Sequence, residues 1–196
     1  MRYLLIAAAL LLTGCSLTAA RHNEDVAHTL ALSPQTSMPA PLPAGRTLVI
    51  APLTSAPGYA SPAMAYRTTA HELRYFAHER WVDRPARLIE QALFDGLSGA
   101  GATLVVAGSG ARPDLRLVTD LVQLEQDFTV QPSRVRLVLR VQLVDVRDRR
   151  LLGGDTLRLE QPAPSDDAAG GVVAANALLE QAVRQIGAFC ARAGGV

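Results

Sequence analysis

Val135, Leu137, Leu139, Val141 and Leu143 recur at strict period two, and no helix places all five on one side. The stretch has to be a β-strand with that face on a core and with Arg134, Arg136 and Arg140 turned the opposite way. Before it, Leu115, Leu117 and Leu121 mark a second long strand from Asp114 to about Phe128. After it, Arg147-Asp148-Arg149-Arg150 turns the chain into a third, Leu151 to Glu160. Three long neighbours in a row predict an antiparallel meander.

Shorter elements surround this frame. Val26 to Leu32 alternates as a brief first strand, and Thr47-Leu48-Val49-Ile50-Ala51, bounded by Gly45 and Pro52, reads as a buried one. Residues 64–68 and 73–77 read as a hairpin with its tip near Ala70-His71-Glu72, a helix being the alternative. Asp83 is a good N-cap with Pro85 in the first turn, and Ala86, Ile89, Leu93 and Leu97 then recur at helical spacing. Ala102 to Val106 forms a small strand. Val172, Ala175, Leu179, Ile186 and Cys190 give a long amphipathic final helix behind Ser and Asp caps. The expected fold class is α+β, a mostly antiparallel sheet with two main helices packed on one face.

The N-terminus carries an address. Arg2 followed by an apolar run from Leu4 to Leu12 and then Thr13-Gly14-Cys15 reads as a lipoprotein signal, which cleavage before Cys15 would remove. An ordinary secretory signal that happens to end in a cysteine is the alternative. Lipidation at Cys15 would anchor the chain durably, because each buried methylene contributes about 0.8 kcal/mol. The organisation expected is signal peptide 1–14, lipidated tether 15–25 and a single periplasmic α+β domain 26–196. Ser16 stands where an aspartate would retain such a protein in the inner membrane, so the expected location is the outer membrane, facing the periplasm.

Composition narrows the chemistry. All 19 basic residues are arginine, against 18 acidic ones, so lysine Schiff-base and P-loop chemistry are out. Loss of Arg2 with the signal leaves 18 against 18, a neutral domain ill-suited to nucleic acid. Cys190 has no disulfide partner once Cys15 is lipidated. His22, His28, His71 and His78 show no metal-ligand spacing, and Gly108-Ser109-Gly110 is not a nucleophile elbow. No catalytic residue, metal or cofactor is expected. The arginine row Arg134, Arg136 and Arg140 is the candidate partner-binding feature; the plainer alternative is the wet side of a sheet, with Asp120, Glu125 and Asp127 across the strands. Trp81, two residues before Asp83, is expected to be structural, with interface anchoring as the competing role.

Several short marks occur together: Tyr66-Arg67, Arg80-Trp81-Val82-Asp83 leading to Pro85, Asp114-Leu115-Arg116-Leu117, Gln126-Asp127-Phe128 followed by Ser133, and Ala174-Ala175-Asn176. From Thr47 to Ala191 the chain resembles the ABC-type transport auxiliary lipoprotein family, PqiC-like envelope lipoproteins associated with MCE-type lipid transport. It departs from that family in having Ala27-His28-Thr29-Leu30 where an aromatic-rich strand is usual. The resemblance implies a non-enzymatic accessory that docks on an MCE-type membrane-fusion protein, forms a homo-oligomeric ring, and assists movement of lipids or other hydrophobic molecules. It gives Asn176 a structural role at the last helix. The other reading is an outer-membrane ligand-binding or assembly lipoprotein unrelated to ABC transport.

Overall fold

In the computed structural model, residues 25–34, 45–99 and 103–195 are described. Their elements are β1 (Val26–His28), β2 (Thr47–Ile50), β3 (Thr54–Ser55), a 3₁₀ turn (Pro57–Tyr59), β4 (Ala63–Arg67), β5 (Arg74–Trp81), α1 (Pro85–Gly99), β6 (Thr103–Val105), β7 (Leu115–Asp127), β8 (Arg134–Asp145), β9 (Arg150–Pro162) and α2 (Ala168–Gly194). β7, β8 and β9 form the expected meander, Leu121 facing Leu139 and Leu139 facing Leu157.

The expectation of a mostly antiparallel sheet is wrong. The sheet is mixed, and five of its eight pairings are parallel: β1 with β5, β2 with β6, and β2, β3 and β4 each with β7. Residues 47–67 in effect run once along the free edge of β7 in the same direction, Leu48 beside Leu115, Thr54 beside Asp120 and Arg67 beside Asp127. Pro52, Pro57 and Pro62 interrupt that run. Each lacks an N–H to donate to the ladder, so one long strand becomes three short ones with no readable period. β5, α1 and β6 supply the crossover that a parallel return requires.

Within β7 the apolar phase changes. Up to Leu121 the odd-numbered residues face the core, but an irregularity at Val122 shifts the register so that Leu124 and Gln126 take that face. Glu125 and Asp127 are thereby turned to the opposite side. Both helices pack on the apolar face and touch each other. At 27 residues, α2 is about 40 Å long, which matches about 40 Å for a strand of the meander. Leu178, Leu179, Ala182, Val183 and Ile186 are fully buried against Leu137, Leu139 and Leu143. Phe189 and Ala193 cross at Gly153, where an added Cβ would already lie 3.4 Å from each.

The first residues of the domain form a strap. After pairing with β5, residues 29–33 cross to α2, where Asn176 accepts from the Ala31 N–H (2.9 Å) and donates to the Thr29 and Val172 carbonyls (3.3 and 2.9 Å). One turn on, Glu180 accepts from the Ser33 N–H at 3.2 Å. Leu30, 3 % exposed, fills the space beneath. A side-chain amide here does for an irregular segment what a neighbouring strand does in a sheet.

Candidate functional site

The polar face of β7–β9 is where the arginines stand. Arg134 pairs with Glu160 (2.9 Å), and Arg136 with Asp127 (2.7 Å) and Glu160 (3.2 Å). The bond from Arg134 leads in holding the Glu160 carboxyl below its ordinary range, with Arg136 adding to it against partial burial. Burial alone would raise Asp127, but the Thr129 hydroxyl and N–H, then Arg136 and Arg67, outweigh it and hold it low. These two arginines therefore spend their charge inside the molecule.

Arg140 is different. Asp120, its cross-strand partner, is taken by the Thr54 hydroxyl, and among the described residues no carboxylate lies within ion-pair distance of Arg140. The same holds for Arg158, diagonal to it on β9. Together with Gln142, Gly154, Asp155 and Thr156 the two line a shallow, open concavity of about 450 Å³. Of the row, the structure sets Arg134 and Arg136 aside and leaves Arg140, beside Arg158 of β9, without a carboxylate partner among the described residues.

Next to this face lies a network that the sequence does not announce. Glu125, whose side chain is wholly buried, pairs with Arg67 and accepts from the Tyr59 hydroxyl at 2.5 Å and from Gln123 at 2.8 Å. Burial, then the Glu125 bond, push the Tyr59 hydroxyl far above its usual titration range. Tyr59 and Arg67 come from the interrupted run and Glu125 from β7 after its register shift, so only the assembled sheet puts them together. The shift itself was the available signal: strict alternation continued past Leu121 would aim Glu125 and Asp127 into the core.

At the start of α2, Asp167 caps the helix by accepting from the Gly170 N–H at 2.8 Å, and Asp166 accepts from the Ser133 N–H at 2.6 Å. Those N–H groups are the leading cause of the low pKa of each carboxyl. Gln126 donates to Ser133 Oγ and to the Asp167 carbonyl, both at 3.0 Å, while its Oε1 lies so close to Gly171 that a Cβ there would come within 2.2 Å. Only glycine fits.

Trp81 is 4 % exposed in the core, opposite His28 across the β1–β5 pairing, and its backbone N–H donates to the Pro62 carbonyl at 2.8 Å. The Asp83 carboxylate accepts from the Arg84 N–H and pairs with Arg87 one turn on. Burial pushes the Cys190 thiol up to about 12, which leaves it unreactive. Cys15 lies outside the described residues. Among those residues no group of three His, Cys, Asp or Glu could hold a metal ion, and no helix is long and apolar enough to cross a membrane.

The same fold is found in a protein of Xanthomonas campestris, with a TM-score of 0.72 at 19 % identity over 88 % of this chain and 95 % of that one. A hypothetical protein of Chlamydia trachomatis matches at a TM-score of 0.51 and 11 % identity, over 75 % and 98 %. No curated protein is similar in sequence. The family model of the ABC-type transport auxiliary lipoprotein component matches residues 28–187, and the chain belongs to that family.

Proposed function

We propose that this protein is a non-enzymatic accessory, lipidated at Cys15 and held in the outer membrane facing the periplasm. It docks, as a ring of copies, on an MCE-type protein and assists transport of lipids or other hydrophobic molecules. Family membership over residues 28–187 carries the reading, and the Leu-Thr-Gly-Cys sequence ahead of it supports the anchor. A ligand carrier is less well supported. Among the described residues, the cavity between Met64, Phe76, Trp81, Leu124, Val135 and Ala175 offers about 10 Å³, barely room for one water molecule, and the larger hollow of about 340 Å³ at Ile50, Phe94, Val105 and Val106 also takes in Arg87 and Glu90.

Arg140 and Arg158 are the docking residues that fit this role, because among the described residues no carboxylate pairs with either. The test is recovery of the MCE-type protein with the intact lipoprotein from native membranes in mild detergent. Charge reversal at both positions, Arg140→Glu with Arg158→Glu, is expected to lower recovery at least tenfold with the melting temperature unchanged. Cys15→Ser is expected to release the protein from the membrane. Recovery of no MCE component by the wild-type protein would overturn the partner assignment.

A further inference from the structure

β9 closes one side of the sheet: it pairs with β8 alone, and among the described residues no strand lies beyond it. The outer strands on the other side, β1 and β6, have three residues each, whereas β9 has 13. A long uncovered edge pairs readily with another extended chain, and native sheets commonly cover or charge it for that reason.

The register fixes which backbone groups of β9 point outward. The Ala163 N–H donates to the Ser133 carbonyl at 2.8 Å, which continues the pairing of Leu157 with Leu139 and Leu159 with Leu137. Odd-numbered residues therefore bond to β8, and even-numbered ones turn their N–H and C=O away from it. Thr156 agrees, because its N–H goes to the Asp155 carboxylate at 2.7 Å. The outward N–H groups of Gly154, Arg158 and Glu160 have no acceptor among the described residues. On the polar face above them stand Arg158 and, across Thr156 on β8, Arg140. Glu160 is already held by Arg134 and Arg136, so the charge left to answer is positive. Gly154 and Thr156 line the same concavity as the two arginines, and their small size keeps its floor low.

We propose that β9 takes up an extended acidic segment of the docking partner as a further strand, with carboxylates at alternate positions meeting Arg158 and Arg140. In that arrangement the residue opposite Arg158 projects from the polar face. So does the residue two positions on, opposite Thr156, where Arg140 reaches it across the short threonine. A guanidinium left unpaired at the edge also turns away basic and apolar strands. The proposal rests on Arg140 and Arg158 meeting the partner, and it names the form in which the partner reaches them.

The experiment uses the intact acylated protein in mild detergent and a synthetic peptide, Thr-Val-Glu-Val-Glu-Val-Thr, blocked at both ends, whose glutamates share one face of a strand. Thr-Val-Val-Glu-Glu-Val-Thr has the same composition and charge but sets its glutamates on opposite faces. By fluorescence anisotropy the alternating peptide is expected to bind at least tenfold more tightly. Its binding is expected to slow amide exchange at Arg158 and Glu160 at least tenfold, while Leu157 and Leu159, bonded to β8, change little. Gly154→Pro removes an outward N–H without cutting a bond to β8, and an added Cβ there meets nothing closer than 3.6 Å. It is expected to weaken the alternating peptide at least fivefold with the melting temperature unchanged. Equal binding of the two peptides, or binding that leaves exchange at Arg158 and Glu160 unaltered, overturns the added strand. If that happens while Arg140→Glu with Arg158→Glu still lowers recovery of the MCE-type protein, docking at the arginines stands without it. If the wild type recovers no MCE component yet the alternating peptide binds and slows exchange, the partner assignment falls and the strand site stands.

Discussion

Asn176 holds three backbone groups with one amide, and two of them, the Ala31 N–H and the Thr29 carbonyl, lie about 145 residues away in the chain. Asn176→Asp keeps the shape and the acceptor but sets an oxygen against the Thr29 and Val172 carbonyls. Losing those donated bonds and adding repulsion is expected to cost about 1–3 kcal/mol in urea unfolding. Amide exchange at Ala31 and Ser33 is expected to rise more than exchange in β8, because the strap loosens before the sheet does. Equal acceleration throughout would mean the side chain has no local role. The sequence marks Asn176 only as part of the segment opening the last helix; what it grips depended on where residues 29–33 pass, which no local pattern records.

For the elements, the decisive residue is Val122. It absorbs the register shift that turns Glu125 and Asp127 away from the helices and lets Leu124 and Gln126 meet them. Inserting one alanine after Val122 reverses the phase beyond it and drives both carboxylates toward α2, where an unpaired charge costs far more than any marginal domain retains. The expected outcome is loss of the cooperative melt and of the buried-indole emission of Trp81; a variant that melts as wild type would show that the strand slips freely. The helix periods and the meander were legible because their apolar residues recur over 12 residues or more. β2, β3 and β4 span four, two and five residues, too few to carry a period, and their parallel sense lies in a crossover rather than in any residue.

Across the whole molecule, five carboxylates share one signature. Asp114 accepts from Thr47, Asp145 from the Asp148 N–H and Arg46, Asp166 from Ser133, Asp167 from Gly170, and Glu160 from Arg134. In each case these bonds hold the carboxyl below its ordinary value. Because the folded state binds protons less readily than the unfolded one, the stability they add is fully present above the unfolded range of about 4. It is lost as pH falls through the lower folded values. The melting temperature is expected to be flat from pH 7 to about 5 and to fall steeply below about 4. Asp166→Asn is expected to lower the plateau and flatten that fall. A profile unchanged down to pH 3 would show that these pairs add nothing.

By itself the sequence determined the apolar periods, hence the meander and both helices, and it carries the Leu-Thr-Gly-Cys motif on which the proposed anchor rests. Such signals are local, written in residues a few positions apart. The tertiary structure alone decided that residues 47–67 run parallel to β7, and that Arg134 and Arg136 find carboxylate partners while, among the described residues, Arg140 and Arg158 do not. Each of these depends on which strand lies beside which. That choice is made by burial and backbone pairing between segments up to about a hundred residues apart, and a linear pattern holds no record of it.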